Sequence, residues 1–104
     1  MNARPTPIEI VYLTAPACRL CEHGRQVLAE LSQDRPLELR EVDLLSVEGQ
    51  QLLAVGRVPF PPAVFVGGEM LAHGRLSASA LGRQLDRLIE AGEPVGTPDR
   101  SREA

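Results

Sequence analysis

The run Ile8-Glu9-Ile10-Val11-Tyr12-Leu13 gives way, across only Thr14-Ala15-Pro16-Ala17, to a helical repeat, and this abrupt handover constrains the fold more than any other feature. The run is β-branched and mostly apolar, as expected of a strand covered on both faces. From Cys18 onward, Leu20, Gly24, Val27, Leu28 and Leu31 fall at spacings of 4, 3, 1 and 3, the single apolar stripe of an amphipathic helix. A proline cannot continue a helix, so the expected end lies near Asp34-Arg35-Pro36. Leu37 to Asp43 reads as a second strand, with Leu37 and Leu39 alternating against charges. Strand, helix and strand at this length form a βαβ unit, whose two strands run parallel.

The second half is read in the same way. Ser46 is a plausible N-cap for a short helix to Val55 that places Leu52 and Leu53 on one face, with Gly56 as its terminator. Val58-Pro59-Phe60-Pro61-Pro62 is neither helix nor central strand, because its prolines remove backbone donors. Ala63-Val64-Phe65-Val66 and Glu69-Met70-Leu71-Ala72 flank Gly67-Gly68, the pattern of a tight hairpin. Gly74-Arg75-Leu76-Ser77 leads into a last helix, with Ser77 as N-cap and Ala78, Leu81, Leu85, Leu88 and Ile89 on one face. The expected order is βαβαββα: an α/β domain with a four-stranded mixed sheet, its first two strands parallel, its last two antiparallel, and helices on both faces. Residues 1–7 form an N-terminal extension, 8–91 the domain, and 92–104, which lack any period, a disordered tail.

Composition narrows the function classes. A chain of 104 residues holds one core. With no Trp, one Tyr and two Phe, that core is built from Leu, Val, Ile and Ala. A net charge of −3 argues against binding a phosphate backbone, although all eleven basic residues are Arg. No apolar stretch reaches the ~20 residues of a membrane span, and Met1 to Pro7 carry no secretory apolar run, so a cytoplasmic protein is expected.

The two cysteines stand three apart, as Cys18-Arg19-Leu20-Cys21, where strand passes to helix. So close a pair in a reducing compartment points to redox chemistry or metal binding, not to a structural disulfide framework. Exchange needs a thiolate, and a free thiol near pKa ~8.5 is mostly protonated at neutral pH. At a helix N-terminus, unpaired N–H groups and the helix dipole favour the anion, and Arg19 adds a cation beside Cys18. Cys18 is thus expected to attack and Cys21, one turn deeper, to resolve the mixed disulfide. Two plainer readings stand beside this one: a pair of small buried residues, or half of a zinc site, for which His23 and His73 are the remaining soft ligands.

The segment Thr14-Ala15-Pro16-Ala17-Cys18-Arg19-Leu20-Cys21, followed by an amphipathic helix, resembles the active-site segment of thioredoxin-fold proteins. Pro61-Pro62-Ala63-Val64-Phe65-Val66-Gly67-Gly68-Glu69 resembles the stretch that holds the family's cis-proline, with a spacing similar to glutaredoxins that picks Pro62. The resemblance, from about Ile8 to Ile89, implies that Pro62 lies beside Cys18. It also implies a substrate groove formed by Arg19, Leu20, Pro61, Pro62, His73 and Gly74.

The departures are as informative. Ala17 stands where such proteins carry a Trp, and Tyr12 where many have a buried acid. Thr14 and Ala15 replace the Lys that glutaredoxins use for the glutathione carboxylate, and His73-Gly74 with Arg75-Leu76-Ser77 only partly match their Gly-Gly and acidic pair. Pro61 has no N–H to offer a bound thiol compound, so glutathione is discounted.

The expectation is a small dithiol carrier with a redox-active Cys18–Cys21 disulfide and no tightly bound cofactor or metal. It acts as a monomer on protein or small-molecule disulfides and is recharged by a reductase or another dithiol donor, with neither nucleic acid nor membrane as partner. The alternatives are a redox-sensing or inert binding module and, behind it, a metal or cluster carrier.

Overall fold

The computed structural model describes residues 6–91, so the tail expected over 92–104 and most of the extension over 1–7 lie outside the described residues. The elements are β1 (Ile8–Thr14), α1 (Arg19–Leu31), β2 (Leu37–Asp43), α2 (Val47–Gly56), β3 (Ala63–Val66), β4 (Glu69–His73) and α3 (Ala78–Ala91). The sheet order is β2-β1-β3-β4, with β1 and β2 parallel and the other pairings antiparallel. This is the βαβαββα topology of a thioredoxin-like fold.

Polarity explains the order. The two inner strands are the apolar ones, and all four residues of β3 are buried. The outer strand β2 carries Glu38, Arg40, Glu41 and Asp43 as exposed side chains, which discourages pairing with another chain at that edge. Along β1, alternation sends Ile8, Ile10 and Tyr12 to one face and Val11 and Leu13 to the other. The first face meets Val27, Leu28 and Leu31 of α1 and Leu81 and Leu85 of α3. The second meets Leu52 and Leu53 of α2, together with Val42, Val58 and Phe65. Helices therefore cover both faces.

The structure moves several boundaries. Helix α1 ends at Leu31, before Pro36 can act: the Ser32 hydroxyl also bonds the Leu28 carbonyl, and the next N–H, of Gln33, closes a tighter turn onto Glu30. Arg35 then reaches across to Asp86 of α3 at 2.9 Å. Gly56 does not terminate α2 as a left-handed residue: it is the last helical residue, and Arg57 takes the left-handed position at φ 52°. The ring of Phe65 explains the exchange, since a Cβ on Gly56 would come within 2.8 Å of its Cζ. Ser46 caps α2 by accepting from the Gly49 N–H at 3.0 Å, and the Ser77 hydroxyl accepts from Ala80 at 3.2 Å. Gly67 and Gly68, at φ 59° and 83°, make the hairpin turn. Ala78, expected on the inner face of α3, is exposed.

Among the described residues no helix is long and apolar enough to cross a membrane.

Candidate active site

Strand register gathers the site at one end of the sheet. Leu13 pairs with Ala63, Thr14 with Asp43, and Ala63 with His73. The loop carrying Cys18, the proline segment before β3 and the end of β4 therefore leave the sheet side by side. Pro62 is buried and its bond to Pro61 is cis, as the resemblance implies. The Gly74 N–H donates to the Pro62 carbonyl at 2.7 Å and ties the loop to the residue after β4.

Cys18 is the N-cap of α1, with extended backbone at φ −118° and ψ 108°. Its sulfur accepts from the Cys21 N–H at 3.1 Å, one of the first-turn donors that no helical carbonyl can reach. The two cysteines are paired as a disulfide across a Cα separation of 5.2 Å. Their surroundings differ: Cys18 is half-buried, whereas Cys21, one turn deeper, has no exposed surface. Ala17, immediately before the pair, takes a left-handed backbone at φ 53°, which costs a residue with a Cβ about 1–2 kcal/mol.

Beneath α1 lies a group that the sequence marked only as a missing acid. Tyr12 is 2% exposed, and its hydroxyl donates to the Cys21 carbonyl at 2.9 Å. Gly24 makes this possible, because a Cβ there would land on the Tyr12 hydroxyl. Burial pushes the phenol up to about 12, with Glu41 acting in the same direction and Arg25 against it.

Beside Tyr12, Arg25 holds Glu41 through both of its carboxylate oxygens, at 3.0 Å from Nε to Oε1 and 2.7 Å from Nη2 to Oε2. The Thr14 hydroxyl donates to the same Oε2 at 2.8 Å. These bonds hold the Glu41 carboxyl below its usual range, the one from Arg25 being the larger cause. Thr14, Ala15, Pro16, Arg25, Glu41 and Asp43 line an open cleft of 290 Å³. Sequence reasoning missed Arg25, Glu41 and Thr14. The available signal was positional: Arg25 lies one helical turn after Cys21, and Glu41 faces Tyr12 once the parallel register is known.

The other expected groove residues divide. Arg19 is exposed and Leu20 half-buried in the first turn of α1; Pro61 is half-buried, Gly74 buried, and His73 exposed at the end of β4. His73 meets the Phe60 ring edge-on, with centroids 5.5 Å apart. His23, one of the two soft ligands the sequence offered for a zinc site, is half-buried, and its Nδ1 is enclosed without a hydrogen-bond partner. Among the described residues no three His, Cys, Asp or Glu side chains gather as a metal-binding group.

The solved structures supply a likeness of fold. One described as "Structure of a malarial protein" matches with a TM-score of 0.58 at 19% identity, over 79% of this chain and 97% of that chain. No family model matches the chain, and no curated protein does. The cysteine pair at disulfide spacing, at the start of a helix in this fold, gives the site redox capability.

Proposed function

We propose that this chain is a thiol–disulfide oxidoreductase, a dithiol carrier in which Cys18 attacks and Cys21 resolves. One observation carries the reading: Cys18 caps α1 with its sulfur on the Cys21 N–H, while its partner is fully buried one turn deeper. An N–H aimed at sulfur stabilises the thiolate relative to the thiol and so lowers the pKa of the outer cysteine. The inner thiol meets no solvent and acts only on what is attached to its neighbour.

The reaction balances on these two groups. The reduced Cys18 thiolate attacks one sulfur of a substrate disulfide, forming a mixed disulfide and releasing the other sulfur as a thiolate. Cys21 gives up its proton and attacks the Cys18 sulfur. The second substrate thiolate leaves, and the Cys18–Cys21 bond forms. Two electrons pass to the substrate, and a reductase or another dithiol donor returns them by the reverse sequence.

In this reading the chain works as a cytoplasmic monomer, and Arg19, Leu20, Pro61, Pro62, His73 and Gly74 border the groove. Glutathione is a poor donor here, because Pro61 offers no N–H and neither Thr14 nor Ala15 offers a charge.

Trapping tests the division of labour. Incubated with a disulfide substrate, the Cys21→Ser protein should accumulate a covalent adduct through Cys18, visible on a non-reducing gel, and Cys18→Ser should accumulate none. Equal trapping by both variants would overturn the assignment of roles. A failure of the wild type to reduce any disulfide would favour the binding module.

A further inference from the structure

Phe60 is a large apolar side chain left 50% exposed, yet it is firmly seated. Pro59 and Pro61 restrict the backbone on either side of it. Its ring stands edge-on to His73 at 83° and lies over Gly74, where a Cβ would come within 3.0 Å of its Cε1. Gly74 itself holds φ 72° and is bonded to the Pro62 carbonyl.

An exposed ring normally loses rotamer freedom when a partner covers it, and that loss weakens binding. Here the prolines, the histidine edge and the glycine seat have already restricted the ring. The Leu13–Ala63 pairing sets the start of β3 beside the end of β1, so the proline segment that carries the ring enters the sheet at the end that carries Cys18.

Two arginines flank the segment in the chain. Arg57 precedes the proline segment and Arg75 follows Gly74; both are exposed, and neither pairs with a carboxylate among the described residues. Arg25, Arg35 and Arg40, by contrast, are all neutralised by acids. On a chain of net charge −3, the residues that flank the ring in sequence thus include two exposed, unpaired cations.

We propose that Phe60 is the specificity anchor of the Cys18–Cys21 site, and that the substrate it selects is a protein segment with an apolar side chain beside its cysteine and acidic residues close by. The proposal rests on the redox reading above and goes further by naming the substrate class. A small disulfide has no side chain to lay on the ring and gains nothing from it, whereas a polypeptide buries an aromatic surface that is already ordered.

The test uses the full reduced chain and three disulfides: hydroxyethyl disulfide, a peptide with Leu and Asp beside its cysteine, and the same peptide with Gly and Asn in those places. The wild type should prefer the Leu-Asp peptide by about tenfold in kcat/KM, carried by KM. Phe60→Ala should bring that preference close to unity, and Phe60→Leu should restore part of it. Arg75→Gln should weaken it severalfold at low salt and less at high salt. A preference that survives in Phe60→Ala would overturn the proposal, as would an equal fractional loss on all three disulfides. Inactivity of the wild type on every disulfide would instead overturn the redox reading beneath it.

Discussion

At the scale of single residues, the contact between Tyr12 and Gly24 fixes where the cysteines stand. The Tyr12 hydroxyl bonds the Cys21 carbonyl, and Gly24 leaves room for it one helical turn along. An alanine at that position would normally help a helix by ~1 kcal/mol over glycine. Here its Cβ would overlap the Tyr12 hydroxyl and come within 3.1 Å of Leu76 Cδ1, and neither neighbour has space to move, being 2% and 3% exposed. Overpacking of this kind costs about 1–3 kcal/mol, so Gly24→Ala should destabilise despite its better propensity. Removing the obstructing oxygen should relieve part of the cost. The double variant Gly24→Ala/Tyr12→Phe is therefore expected to be more stable than the sum of the single changes allows, as read from denaturant midpoints in a double-mutant cycle. Additive effects would mean that the hydroxyl is not the obstacle.

At the scale of elements, the sequence marked what depends on period and misplaced what depends on contact across the fold. Hydrophobic spacing and proline placement sufficed for all seven elements, because periods of two and 3.6 are local properties of the chain. The parallel pairing of β1 with β2 followed from the βαβ rule, but its register did not, so Glu41 was not seen beside Tyr12, nor Arg25 beside Glu41. The end of α2 shows the same limit. A glycine beside a helix end reads as the left-handed cap, yet the Phe65 ring claims the space at Gly56 and pushes the cap to Arg57. That Arg holds φ 52° at a cost of about 1 kcal/mol that a glycine would avoid. Arg57→Gly should accordingly raise the melting temperature, and Gly56→Ala should lower it because of the 2.8 Å approach to the ring. A fall in melting temperature for Arg57→Gly would mean that Arg57 does not hold the left-handed cap.

At the scale of the whole molecule, an all-arginine composition has a consequence at high pH. The eleven basic residues include no lysine, and arginine stays charged throughout the range in which proteins are studied. With Cys18 and Cys21 joined, Tyr12, the one tyrosine in the chain, is the side chain left to titrate between about pH 9 and 12. Burial lifts it from 10.0 to about 12 in the folded protein. A raised folded pKa means that the folded state holds the proton more tightly than the unfolded state does. The corresponding stability is fully present below pH 10, falls as pH rises between 10 and 12, and is exhausted above that window. The shift corresponds to a loss of about 3 kcal/mol across the window. Two measurements read the same residue. Phenolate absorbance of the oxidised protein, free of any tryptophan background, should titrate near 12 when folded and near 10 in denaturant. Urea unfolding of the same sample should show the midpoint falling from pH 10 upward, and Tyr12→Phe should flatten that fall. A folded phenol that titrates at its ordinary value would place the Tyr12 hydroxyl in water and remove its bond to the Cys21 carbonyl, and with it the tether that sets the cysteine pair on the sheet.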